Sequence, residues 1–177
     1  MQNTLTFKTS YFEDSFRICK GPHLLLKIYK STWLGWAFDL KTPHQNYRVV
    51  RRGVWSPEIT ISEKETGRIV ATTKARISLF GWQARATTQF SDGAYFEWQR
   101  TGYFNYKWSW REGDQAIMQA KEKLGLFSLA GDMTILSDNQ HRHLLSALGI
   151  YLRSATAGKS RLGPITAVVM IILFLIG

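Results

Sequence analysis

Four groups of residues in this chain are of types that could do chemistry: Cys19 with His23, the pair His141 and His143, the carboxylates Glu63 and Glu65, and the run Ala157-Gly158-Lys159-Ser160. A nucleophilic thiol needs a lowered pKa and a basic partner. His23 lies four residues from Cys19, but a lone thiol is more commonly a small packed side chain. Two histidines two apart on a helix point about 200° away from each other, so they cannot share a metal without further ligands. Ordinary polar residues on a first helical turn are the plainer reading. His23 and His44 sit beside Pro22 and Pro43 and read as surface loop. Glu63 and Glu65 flank a turn next to Lys64 and Arg68, which reads as a solvated charge cluster. The Gly158-Lys159-Ser160 run lacks the first glycine of a phosphate loop, since Arg153 stands in its place. A helix also precedes it where a strand is needed. The expectation is a protein with no catalytic residues, no metal and no cofactor.

Charge is more informative. The chain has 23 Lys and Arg against 13 Asp and Glu, a net +10, which favours an anionic partner. No acidic side chain follows Asp138, whereas Arg142, Arg153, Lys159 and Arg161 lead into a final apolar run. Arg51, Arg52, Arg153, Lys159 and Arg161 are the candidate contacts to anionic lipid, with Arg48 near the first two. Lys27 and Lys30 are a further phosphate-attracting pair. The aromatic and basic residues of Tyr95–Arg111 could stack single-stranded nucleic acid. Alternation puts the rings on one face and Lys107 and Arg111 on the other, which describes a core with a charged outer surface. Nucleic acid is therefore the less expected partner, and lipid the favoured one. Sequence assigns no protein partner and no oligomeric state.

The elements that position these residues are mostly strands. From about residue 24 to 136 the pattern has period two with turn residues between runs. Phe104, Tyr106, Trp108 and Trp110 alternate with Asn105, Lys107, Ser109 and Arg111, giving a half-buried strand. Phe96 and Trp98 oppose Glu97 and Gln99 in the run before it. Ile59 and Ile61 mark one strand, and Ile69, Ala71, Thr73, Ala75 and Ile77 one face of the next. Asp92-Gly93 signals a hairpin in which both positions take positive φ. Further turns are marked at Glu65-Thr66-Gly67, Thr101-Gly102, Glu112-Gly113 and Leu124-Gly125. Nine or ten strands are directly legible, recurring in the manner of a sandwich or barrel.

The period then changes to that of a helix over about 139–153, capped by Ser137 or Asp138. Between Arg142 and Arg153 it carries no charge, so it demands burial on all sides. Residues 156–161 read as a linker. Residues 162–177 have only Thr166 as a polar side chain. As a helix they would reach ~24 Å against a hydrocarbon core of ~30 Å, and Lys159 and Arg161 could snorkel. Ile165, Val168, Val169, Ile171, Ile172, Leu173, Phe174, Leu175 and Ile176 form this candidate membrane segment. A tail anchor is preferred to a buried plug, and basic flanks would leave the domain facing the cytoplasm. The N-terminus has no apolar stretch of signal-peptide length.

The strand pair from Tyr95 to Arg111, the strands from Gly125 to Leu136, and the helix His141-Arg-His-Leu-Leu-Ser-Ala-Leu-Gly-Ile-Tyr-Leu-Arg-Ser154 resemble the tubby C-terminal-like superfamily. That group includes tubby proteins, phospholipid scramblases and LURP-one-related proteins. The resemblance covers roughly residues 10–155 and rests on pattern, with no diagnostic motif. It implies a mainly β fold: a closed or near-closed antiparallel barrel of about 10–12 strands, with a hydrophobic helix after the last strand. It also implies a lipid-facing module. The phosphoinositide-binding residues of tubby proper match no positions here. The domain organisation expected is a barrel over 1–155, a linker over 156–161 and a membrane tail over 162–177. The rival readings are a soluble barrel plugged by its C-terminal segment, a small-ligand or nucleic-acid-binding β-domain, and an enzyme working in a cleft of the wall.

Overall fold

The computed structural model describes residues 3–10, 15–30, 37–42, 45–53, 57–77, 84–101, 107–124 and 128–154. Their first half contains β1 (Asn3–Ser10), β2 (Ser15–Lys20), β3 (His23–Lys30), β4 (Ala37–Lys41), β5 (Asn46–Arg52) and β6 (Glu58–Glu63). Then come β7 (Ile69–Ile77), β8 (Ala84–Phe90), β9 (Tyr95–Thr101), β10 (Lys107–Glu112), β11 (Gln115–Leu124) and β12 (Ser128–Ile135). Each strand pairs antiparallel with its neighbours in sequence, and β1 pairs with β12, so the barrel closes and has no free edge.

Side-chain alternation builds the wall. In β8, Ala84, Ala86, Thr88 and Phe90 are buried while Arg85 and Gln89 face out. Phe96, Trp98, Trp108 and Trp110 point inward and are almost fully enclosed. Small residues on β7 and β8 (Ala71, Ala75, Ala84, Ala86) face inward too, with Thr73 and Thr88 hydrogen-bonded to each other at 2.8 Å.

The space inside is taken by a helix, α1 (142–154), which follows β12. Leu144, Leu145, Ser146, Ala147, Leu148, Ile150 and Leu152 are all buried, so the middle of the helix is enclosed while Arg142 at its start stays part-exposed. Its partners come from across the barrel. The Trp110 indole N–H donates to the Leu145 carbonyl at 2.7 Å. Ser146 reaches the Met118 sulfur, Tyr151 packs on Phe38, and Arg153 pairs with Glu122. At Gly149 the helix backbone lies against two indole rings. A Cβ there would fall 2.6 Å from Cη2 of Trp108 and 3.0 Å from Nε1 of Trp110.

Several expectations need correction. β1 and β2 precede the region read as strands. Ile69 is exposed, because the ladder shifts between Ile61 and Ser62 and turns Ile69 outward while Ala71, Thr73 and Ala75 stay in. In the β8–β9 hairpin only Gly93 has positive φ, at 93°; Asp92 instead accepts the Ala94 N–H through its side chain at 3.1 Å. Asn139 caps the turn that leads into α1: its side chain accepts from the His141 N–H at 2.8 Å and its carbonyl from the Arg142 N–H. Asp138 makes an ion pair with Arg142. Phe104, Tyr106, Gly102 and Gly125 lie outside the described residues.

Candidate anion-binding faces on the barrel wall

The outward positions carry the charge, and strand register decides which charges meet. Lys8 stands opposite Arg17, Arg17 opposite Lys27, and Lys27 opposite Lys41. Four cations therefore form one row across β1–β4, spanning about 14 Å at the ordinary strand spacing. The row ends in neutral residues, Ala130 on β12 and Asn46 on β5. Among the described residues none of the four makes an ion pair. The Lys27 ammonium lies 4.5 Å from the centre of the Tyr29 ring. Like charges directly opposite in a sheet repel, so this row is electrostatically unfavourable unless an anion covers it.

A second face lies over β7–β10. Arg76 stands opposite Arg85, and Arg85 opposite Gln99. In the adjacent row Lys74, Thr87, Glu97 and Arg111 follow in register. These residues, with Asp114, line a groove of about 590 Å³. Arg111 donates to the Asp114 backbone carbonyl, and Glu97 and Asp114 place the acidic side chains at that end. The Lys74–Arg76–Arg85 end makes no ion pair among the described residues.

Elsewhere on the wall the charges are mixed: Lys107 stands opposite Lys121, whose other neighbour is Asp132, while other cations are compensated. Lys64 bonds Asp39 at 2.6 Å with Arg48 4.0 Å away, and Lys123 bonds Asp132 at 2.9 Å.

The residues singled out in the sequence fall differently. Arg153 does not present its charge outward: it is buried and paired with Glu122 inside the barrel, and is removed from the lipid contacts. Arg51 is half-buried on the inner side of β5, close enough to Tyr151 to oppose the rise that burial imposes on the phenol pKa. Arg52 faces out and stands opposite Glu58, whose other neighbour is Lys74. Lys159, Arg161 and residues 162–177 lie outside the described residues. Of the pair Lys27 and Lys30, Lys27 belongs to the β1–β4 row. Lys8, Arg17 and Lys41 were missed because only register across four strands brings them together.

The candidates for chemistry stay apart. Cys19 is half-buried at a ladder shift and faces Leu24, while His23 stands opposite Lys20. His141 stacks on Phe90 with ring centres 3.7 Å apart and bonds Asp92 at 2.8 Å. The Asp92 carboxyl is held below its ordinary value, chiefly by the Ala94 N–H. His44 lies outside the described residues. Glu63 is buried rather than solvated, and accepts from Thr66 at 2.6 Å and from Arg68. Arg68, then Thr66 and Gln45, hold its pKa down to about 2. Among the described residues no group of three His, Cys, Asp or Glu is placed to hold a metal. No helix among them is long and apolar enough to cross a membrane.

Fold and surface define a closed twelve-stranded barrel plugged by one helix, with two cationic outer faces. No family model, no curated protein and no solved structure matches the chain.

Proposed function

We propose that this chain is a non-enzymatic β-barrel module of the tubby C-terminal-like type, tethered to a membrane by residues 162–177 and contacting anionic phospholipid headgroups through its wall. The observation that carries the reading is the Lys8–Arg17–Lys27–Lys41 row. Four adjacent cations kept in register without a carboxylate match a surface of phosphate and carboxylate groups. Each basic residue near such a surface contributes ~1 kcal/mol. The acid-free stretch after Asp138 adds Lys159 and Arg161 beside the apolar tail. A six-residue linker over 156–161 would extend up to about 20 Å, enough for the barrel to lie side-on with β1–β4 against the bilayer. Basic flanks at the tail assign the barrel to the cytoplasmic side.

The test is co-sedimentation of the full chain and its R17E/K41E variant with phosphatidylcholine vesicles, with and without phosphatidylserine. Phosphatidylserine should strengthen binding of the parent chain and have little effect on the variant. Equal gains for both would remove the row from the account.

A further inference from the structure

The two cationic faces occupy opposite sides of the barrel. The row lies on β1–β4 and the groove on β7–β10. Two strands separate them on one side, β5 and β6, and two on the other, β11 and β12. The outward charges on those intervening strands are mixed: Arg48, Arg52, Lys121 and Lys123 stand beside Glu58 and Asp132, and Lys123 is bridged to Asp132. A flat surface touching one four-strand arc cannot touch the other. If β1–β4 lies on the tethering bilayer, the Lys74–Arg76–Arg85 end of the groove points directly away from it.

We infer that this module is bivalent: it holds a second anionic bilayer against the groove while the row engages the first. The inference rests on the headgroup-contact reading. Each face sets outward cations directly opposite one another, Lys8, Arg17, Lys27 and Lys41 on the first and Arg76 and Arg85 on the second, with no ion pair for these among the described residues, and so both suit the same class of partner. The groove adds shape. At about 590 Å³ it can admit a headgroup that protrudes from a bilayer. Gln99 and Thr87 supply neutral donors beside the arginines, and Glu97 and Asp114 confine the anion to the Arg76–Arg85 end.

Mixing the full chain with phosphatidylcholine–phosphatidylserine vesicles and following particle size by dynamic light scattering tests this. Co-sedimentation on the same samples reports binding. The parent chain should bind and cluster the vesicles. The R76E/R85E variant should remain bound while clustering falls at least tenfold. Phosphatidylcholine vesicles alone should not cluster. Bound protein with unclustered vesicles, or clustering by R76E/R85E equal to the parent, overturns the bivalent reading and leaves headgroup contact intact. A parent chain that gains no binding from phosphatidylserine overturns both. The two chains must also have the same mass in solution by light scattering, because clustering lost through lost self-association would overturn the inference equally.

Discussion

At the scale of single residues, what needs explaining is charge placed against its own interest. Arg17 faces Lys8 on one side and Lys27 on the other, and Lys27 also faces Lys41. Converting Arg17 and Lys41 to Glu would make the row alternate in sign and create three opposite-charge pairs, each worth ~0.2–1 kcal/mol. The R17E/K41E variant is therefore expected to melt at a higher temperature than the parent in the absence of lipid, while losing its response to phosphatidylserine. A lower melting temperature would mean that the row is supported by contacts of another kind. Glu63 gives a separate prediction. Its carboxyl titrates at about 2 in the folded chain against an ordinary 4.5. A depressed carboxylate stabilises fully above its unfolded pKa, and that stabilisation is lost as the pH falls from 4.5 through about 2. Acid denaturation of Glu63→Gln should show a shallower dependence than the parent across that window. Superimposable curves would show that the Arg68 and Thr66 contacts do not hold in solution.

At the scale of elements, α1 governs the fold, because a helix with no charge between Arg142 and Arg153, packed inside twelve strands, fixes what the inner wall can be. Gly149 lets Trp108 and Trp110 lie against its backbone. Gly149→Ala would ordinarily favour a helix by ~1 kcal/mol. Here the added methyl overpacks the contact, and a net loss of about 1–3 kcal/mol is expected in chemical denaturation. A stabilised variant would mean that helix and tryptophans do not meet as described. Much of this architecture could be read from the chain. Leu-Leu-Ser-Ala-Leu-Gly-Ile-Tyr-Leu announces burial on every face, and the Trp98, Trp108 and Trp110 alternation announces an inner wall. What escaped reading has physical causes. β1 offers only Leu5 and Phe7 between Thr4, Thr6 and Lys8, too short an apolar run to stand out from a loop. The ladder shift that exposes Ile69 is a property of two strands at once. The cationic row is legible only after four strands have been set in register, which is why Lys27 was visible alone. Arg153 looked like a membrane flank in sequence, but its helix lies inside the barrel and Glu122 answers its charge there.

At the scale of the whole molecule, the central position among the described residues is held by α1. Two arcs of positive wall face opposite ways, separated by strands whose charges are partly compensated. In the account offered here the tail supplies attachment and the wall supplies selectivity for anionic lipid, so the two contributions should separate by their response to salt. Screening weakens exposed charges, with a Debye length of ~3 Å at 1 M ionic strength, and leaves apolar insertion in place. The most direct measurement is the fraction of chain that stays with cell membranes through a high-salt wash, compared for the full chain and a chain lacking residues 162–177. The full chain should remain in the membrane pellet. The shortened chain should pellet at low salt and be released at high salt. A full chain found in the supernatant before any salt is added, or a shortened chain that resists the wash as the full one does, would contradict the account.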